Sequence, residues 1–350
     1  MTPENLLKGT TVLLFFLAAI IVAIYIVLWR KKRQHFYSLA INQDIENWIT
    51  HILMEEDDAD IPVSQNLYRS LRNPRARQYL INELVKCKRN FSGSAGNTIM
   101  GLYERFDLKK DSVKKIRSGK WFIKARGIQE LFMMNQADLL TTIYKNTNNR
   151  NEFVRMEAQT GVIYMTGFAG LRFLDVIAYP LTEWQQIRLL EQLRLTQKKE
   201  DITANIPGWL QSKNDTVVIF VLKLVTEYQY FQMRDAAVHC LTHANEKVRT
   251  QAVKAVILLA DEQTPMILLG YFRKEGPANR ALILDALATM AGDEQKDLLV
   301  ELLNDPDNII KLKAANVLAK CCTDGTAIVA ERARQEPEPF ERILMHIKSL

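Results

Sequence analysis

The chain has 350 residues, of which 48% are hydrophobic and 25% charged, and it carries a formal net charge of +6. That balance allows one or two domains with a substantial core and excludes both a disordered chain and one embedded in lipid throughout. Its four cysteines (Cys87, Cys240, Cys321 and Cys322) contain no CxxC pair, so neither a disulfide scaffold nor a zinc ribbon is expected. Buried free thiols in a reducing compartment are the simpler reading.

Residues 1–9 read as a short extracytoplasmic N-terminus, and residues 10–29 as a single transmembrane helix. From Gly9 to Trp29 there is no charged side chain. Twenty helical residues span roughly 30 Å, the thickness of the hydrocarbon core. Its thirteen Leu, Ile, Val and Phe residues favour insertion by about 4–8 kcal/mol. A cleaved signal peptide would need a shorter apolar core, a basic start and a small-residue cleavage site. Here Arg30, Lys31, Lys32 and Arg33 follow the apolar run directly, while Lys8 is the only basic side chain before it. The excess of positive charge places everything after Trp29 on the cytoplasmic side of the cell membrane.

Residues 30–64 form a basic juxtamembrane segment, an amphipathic helix over 34–54 and an acidic linker. The helix has Leu39, Ile41, Ile45, Trp48 and Ile52 as its apolar positions. Glu55, Glu56, Asp57, Asp58 and Asp60 read as a hydrated run, not a metal site.

Residues 65–120 are basic and helical, with degenerate repeats. From Gln65 to Arg126 sixteen basic residues stand against four acidic ones, a net +12, which leaves −6 for the rest of the chain. Arg69, Arg72, Arg75, Arg77, Lys86, Lys88 and Arg89 form a candidate interaction patch. Next to a membrane each basic residue that reaches the surface gains about 1 kcal/mol. Nucleic acid would call for interleaved aromatics and is not the expected partner. Ser92–Asn97 resembles a phosphate loop but lacks its GK[ST] ending, so it reads as an inter-helix loop with Ser94 or Asn97 capping the next helix.

Residues 121–350 show helical spacing broken every 12–16 residues by Asn, Asp, Gly or Pro. Val217–Val225 is the one run that could be a strand, and its alignment with its neighbours argues for helix. Asn214-Asp215-Thr216-Val217 recurs as Asn245-Glu246-Lys247-Val248, 31 residues on. The same offset carries Val225 to Val256, Leu287 and Leu318, and Ala260 to Ala291 and Cys322. Upstream the period is 33, taking Trp121 to Val154 and Ala125 to Ala158. Self-similarity at this period means a solenoid, because one unit cannot bury its apolar face alone. His239 and His243, four apart, could share a helix face, but no third metal ligand accompanies them.

The V-R-x-x-A-x-x-A pattern of Val248, Arg249, Ala252 and Ala255, with its partial copy at Val154, Arg155 and Ala158, resembles the HEAT repeat, particularly short bacterial HEAT-like repeats. The resemblance covers 121–350 and extends weakly over 66–120. It implies an all-α chain: a transmembrane helix followed by an α-α superhelix. Some proteins of this kind are enzymes, bilin lyases or DNA glycosylases, and some anchored ones are linked with membrane glycosyltransferases. No GxSxG, Cys–His–Asn order or dinucleotide fingerprint is present, so no catalytic residue, cofactor or metal is expected. The expected function is a membrane-anchored scaffold for a protein partner, an integral enzyme or transporter. The alternatives are a sensor that binds a nucleotide or phosphorylated ligand on the basic face, and a lyase-like enzyme.

Overall fold

The computed structural model describes residues 3–54, 64–198 and 200–349, and within them the side chains of 14–29, 32, 39–52 and those from 64 onward. The acidic linker at 55–63 lies outside the described residues. Among the described residues every regular element is helical. The chain divides into two units, Met1–Gly161 and Val162–Leu350.

The first unit holds α1 (Pro3–Met54), α2 (Gln65–Ser70), α3 (Pro74–Asn90), α4 (Gly93–Arg105), α5 (Lys109–Ile116), α6 (Trp121–Met133), α7 (Leu140–Tyr144) and the start of α8 (Glu152–Thr166). The predicted amphipathic helix is the C-terminal part of α1. Its buried stripe is Ile41, Ile45, Ile49 and Ile52, at i, i+4, i+8 and i+11, and it packs on α2 and α3. Leu39, expected in that stripe, is exposed.

Among the described residues no helix is long and apolar enough to cross a membrane. The predicted span 10–29 falls partly outside them, because the side chains of 10–13 are not described. The sixteen that are, Leu14–Trp29, stand exposed along α1.

Asn73 caps α3, accepting from the Arg75 amide at 3.0 Å, and Pro74 takes the first helical position, where a missing N–H leaves nothing unpaired. Leu80, Ile81 and Leu84 then turn fully inward against α4 and α6. The expected loop at Ser92–Asn97 is instead the start of α4. Gly93, at φ +65, turns the chain directly out of α3, Ser92 holds the N-cap position without a side-chain bond, and neither Ser94 nor Asn97 caps the helix.

The second unit holds α9 (Glu183–Leu195), α10 (Ile206–Leu210), α11 (Asp215–Glu227), α12 (Arg234–His239), α13 (Glu246–Leu258), α14 (Thr264–Phe272), α15 (Pro277–Met290), α16 (Lys296–Leu302), α17 (Asn308–Cys321), α18 (Gly325–Gln335) and α19 (Pro337–Ser349). The 31-residue period is carried by α11, α13, α15 and α17, which begin at 215, 246, 277 and 308. Asn214, Asn245 and Asp307 cap three of them, accepting from the amides of Thr216, Lys247 and Ile309 at 3.2, 2.9 and 2.8 Å. Pro277 opens the fourth. Each helix packs on the next in this series, α11 on α13, α13 on α15 and α15 on α17. Val225, Val256, Leu287 and Leu318, aligned by sequence, are all fully buried. Burial of one such side chain stabilises by about 1.5–3 kcal/mol. Val217–Val225 is helix, with Val217, Val221 and Val225 completing the inward stripe of α11.

A 3-10 segment over Gly167–Asp175 interrupts the helix pairs in a way the periodicity did not signal. Gly167 adopts φ +67, and a Cβ there would run into the backbone of Lys198.

Candidate interaction surface

The seven predicted patch residues do not form one surface. Arg69 on α2, Arg72 in the turn after it and Arg75 at the start of α3 are exposed, as are Lys86 and Arg89 near the end of α3. Arg77 is half-buried and its guanidinium is spent on the fold. Its Nε donates to Asp111 Oδ2 at 2.7 Å, and its terminal nitrogens donate to the carbonyls of Phe106 and Asp107 at 3.1 and 2.9 Å. It ties α3 to the turn between α4 and α5 and has no donor left for a partner. Lys88 is also half-buried, with Nζ 2.6 Å from where a Cβ on Gly96 would sit. Of the juxtamembrane residues, Lys32 is exposed, and the side chains of Arg30, Lys31 and Arg33 lie outside those described.

The structure joins Lys86 and Arg89 to a residue that sequence reasoning left out of the patch, Arg126 of α6. Positions 82, 86 and 89 recur on one face of α3, and α6 packs beside it. Between them lies a cleft of about 410 Å³, lined by Asn82, Lys86, Arg89, Asn90, Arg126 and Gln129 with Glu130 and Val85 at its floor. Lys86 pairs with Glu83 at 3.1 Å, and that hydrogen bond holds its ammonium above the usual lysine range. Arg126 donates to Asn82 Oδ1 and lies 3.4 Å from Glu130 Oε1. Arg89 has no partner among the described residues.

Glu130 is a buried carboxylate whose charge is met from within. Lys115 Nζ lies 2.7 and 2.6 Å from its two oxygens, Ser112 donates at 2.6 Å and Gln78 at 3.0 Å, while Tyr103 donates to Ser112 at 2.8 Å. Burial pulls the Lys115 ammonium below the usual lysine range against the pull of Glu130. With Lys115 matched to Glu130 and Lys86 held by Glu83, four cations stand against two carboxylates around the cleft.

In the second unit the larger cleft, about 970 Å³, opens at the N-terminal ends of α11 and α13. Lys213, Lys247, Asp175 and Asp215 line it with Trp209, whose Nε1 donates to Asp175 at 2.5 Å. Its charges are mixed, and Asp215 is already held by Asn245 Nδ2 at 2.6 Å.

His239 and His243 do not share a helix face, because α12 ends at His239 and a 3-10 turn over Cys240–Thr242 follows. Both line a cleft of about 320 Å³ with Cys240. His243 Nδ1 accepts from the Asn245 amide at 3.1 Å, which makes it part of the turn into α13. Among the described residues no group of three His, Cys, Asp or Glu side chains could hold a metal. All four cysteines are free thiols, but only Cys240 is fully buried; the expectation of four buried thiols is corrected by the half-exposed positions of the other three.

No protein-family model matches the chain. No curated protein matches it either. Among solved structures it is similar to an engineered protein from a structural genomics consortium, at 12% identity over 87% of this chain and 88% of that one, with a TM-score of 0.35. It is also similar to the complex of CpcE and CpcF of phycocyanin lyase from Nostoc sp. PCC7120, at 12% identity over 85% of this chain and 99% of that one, with a TM-score of 0.26. A second engineered protein covers 69% of this chain and 96% of its own, at 12% identity and a TM-score of 0.21. At such scores the likenesses carry no weight for activity.

Proposed function

We propose that the chain is a membrane-anchored scaffold of HEAT-like helical repeats, held by residues 10–29 with 30–350 on the cytoplasmic side and offering its repeat surface to a protein partner in the same membrane. The observation that carries this reading is the run Leu14–Trp29. Sixteen consecutive uncharged side chains, among them Phe15, Phe16 and Ile21, stand exposed on a helix, from 43% at Ile26 to 83% at Phe15 among the large ones. A run of this size left in water is an aggregation hazard, and hydrocarbon is the solvent it suits. Arg30–Arg33 then set its orientation. Stacked helix pairs suit a scaffold, because they present long surfaces without requiring chemistry. A membrane glycosyltransferase or transporter is the kind of partner the repeat resemblance suggests, and in this reading the chain is not itself an enzyme.

Two measurements test the reading on full-length protein in its own membranes. After alkaline carbonate washing the chain is expected in the membrane pellet, and its appearance in the wash would remove the anchor. Crosslinking and affinity capture are expected to recover one membrane protein in stoichiometric amount, with loss of capture on deleting α18 and α19. Recovery of no protein at any crosslinker length would remove the scaffold.

A further inference from the structure

The cleft between α3 and α6 points to a ligand that the scaffold reading does not require. We infer that Lys86, Arg89 and Arg126 form a binding site for a phosphate group, with Asn82, Asn90 and Gln129 supplying amide hydrogen-bonding groups around it.

Three features support the assignment. First, the cations converge on one cavity instead of spreading along a face. Lys86 and Arg89 are a turn apart on α3, and Arg126 faces them from α6. Second, Arg126 is positioned before any ligand arrives, because Asn82 on α3 and Glu130 on its own helix fix the guanidinium. A preorganised fork suits the paired oxygens of a phosphate. Third, Glu130 does not cancel the site. It is 2% exposed and already engaged by Lys115, Ser112 and Gln78, which leaves Arg89 with no carboxylate among the described residues.

The lining also limits the ligand. It contains no aromatic side chain and only one apolar one, Val85, so a nucleobase would have nothing to stack on. The volume, about 410 Å³, accommodates a phosphate ester or diphosphate with a small polar body. That chemistry has two sources near a membrane, the headgroup of an anionic phospholipid and a soluble phosphate compound.

The experiment is calorimetric titration of the detergent-solubilised full chain at fixed salt. The probes are pyrophosphate, dihexanoyl phosphatidylglycerol and, as a zwitterionic control, dihexanoyl phosphatidylcholine. Saturable binding of one of the first two is expected, weakened about tenfold or more in a Lys86→Gln, Arg89→Gln variant. An Arg69→Gln, Arg72→Gln variant removes the same charge outside the cleft and is expected to bind within about twofold of wild type. Arg89→Gln alone serves as a second variant, since its side chain is exposed and holds nothing in the fold. Displacement of pyrophosphate by the phosphatidylglycerol would assign the lipid source, and pyrophosphate binding without lipid competition the soluble one. Equal weakening in both double variants, or no saturable binding of either anion, would overturn the site.

Discussion

Arg249 of α13 is bonded to Glu275, 26 residues further on, with Nε 2.8 Å from Oε1, while its NH1 donates back to the carbonyls of His243 and Ala244 at 3.0 and 3.1 Å. One side chain thus closes the turn before its own helix and pins the turn before the next repeat. The arrangement recurs along the second unit. Arg280 reaches Asp305, 25 residues on, and lies over the Phe272 ring at 4.7 Å. Lys311 lies 3.7 Å from Glu336, also 25 residues on, and over the Phe340 ring at 5.5 Å. In the first unit Arg155, from the other copy of the Val-Arg motif, donates to the carbonyls of Asn149 and Arg150 at 2.8 and 2.9 Å.

Removing Arg249 should therefore cost more than a surface ion pair. Glu275 is almost fully buried, and its second oxygen is committed to Asn279 Nδ2 at 2.7 Å. Arg249→Ala leaves that carboxylate without a cation and two carbonyls without a donor, an expected loss of about 3–5 kcal/mol. Urea denaturation followed by circular dichroism measures it. A loss below about 1 kcal/mol would mean the repeat ladder contributes no more than exposed pairs do.

The acid side of the stability curve should respond to Asp293. Its carboxylate accepts from Thr323 Oγ1 at 2.5 Å and from the Thr323 amide at 2.6 Å, joining the turn after α15 to the turn after α17. The Thr323 hydroxyl, then its amide, hold the carboxyl below the ordinary aspartate range. A group with a depressed folded-state pKa contributes stability above its unfolded value, near 3.9, and loses it as pH falls through the folded value. Asp293→Asn, which mimics the protonated acid, should lower the urea midpoint at pH 7, with the gap to wild type closing as pH falls below about 4. A gap that is constant with pH would remove the charge from the account.

The repeat register was legible because backbone capping and core burial recur in step. Asn214, Asn245 and Asp307 mark helix starts in the sequence, and the structure uses each as a cap. The role of Arg249 was not legible, since a Val-Arg pair on an amphipathic helix reads as core followed by solvent. Only the fold brings Glu275 within reach. The basic patch was half legible. Charge counting located the stretch but could not separate Arg77, which is consumed by Asp111 and two carbonyls, from Arg89, which is free to bind. Arg126 was missed because it meets Lys86 and Arg89 only through the packing of α6 on α3. The 3-10 stretch at Gly167–Asp175 was hidden for a similar reason. Phe168, Leu171, Phe173 and Leu174 look helical in spacing, but the turn at Gly167 is set by its approach to Lys198.

Cysteine chemistry should separate one thiol from three. Burial pushes Cys240 up to about 11, and its Sγ lies 3.5 Å from the Ala236 carbonyl. At pH 8 about one such thiol in a thousand is ionised, and iodoacetamide reacts with the thiolate. Native labelling at pH 8, read by peptide mass spectrometry, should leave Cys240 unmodified while Cys87, Cys321 and Cys322 react slowly. Full labelling in urea provides the control. Early modification of Cys240 in the native protein would mean that the turn at 240–242 opens on the labelling timescale.

The turn after α17 is the place where a single methyl group should do most harm. Asp324 sits at φ 59, a left-handed conformation, and directs the chain back so that Gly325 begins α18 against the end of α17. A Cβ on Gly325 would overlap the Leu318 carbonyl oxygen, which already accepts from the Cys322 amide at 3.1 Å and closes α17. Neither group can move without loosening Leu318, which is fully buried at the position aligned with Val225, Val256 and Leu287. Gly325→Ala is therefore expected to cost about 3 kcal/mol, at the upper end for overpacking. Gly270→Ala, on α14 with open space around the added methyl, should instead stabilise by about 0.4–1 kcal/mol. Thermal melts of the two variants against wild type measure the contrast, and shifts of the same sign would show that α17 and α18 are not locked together at this turn.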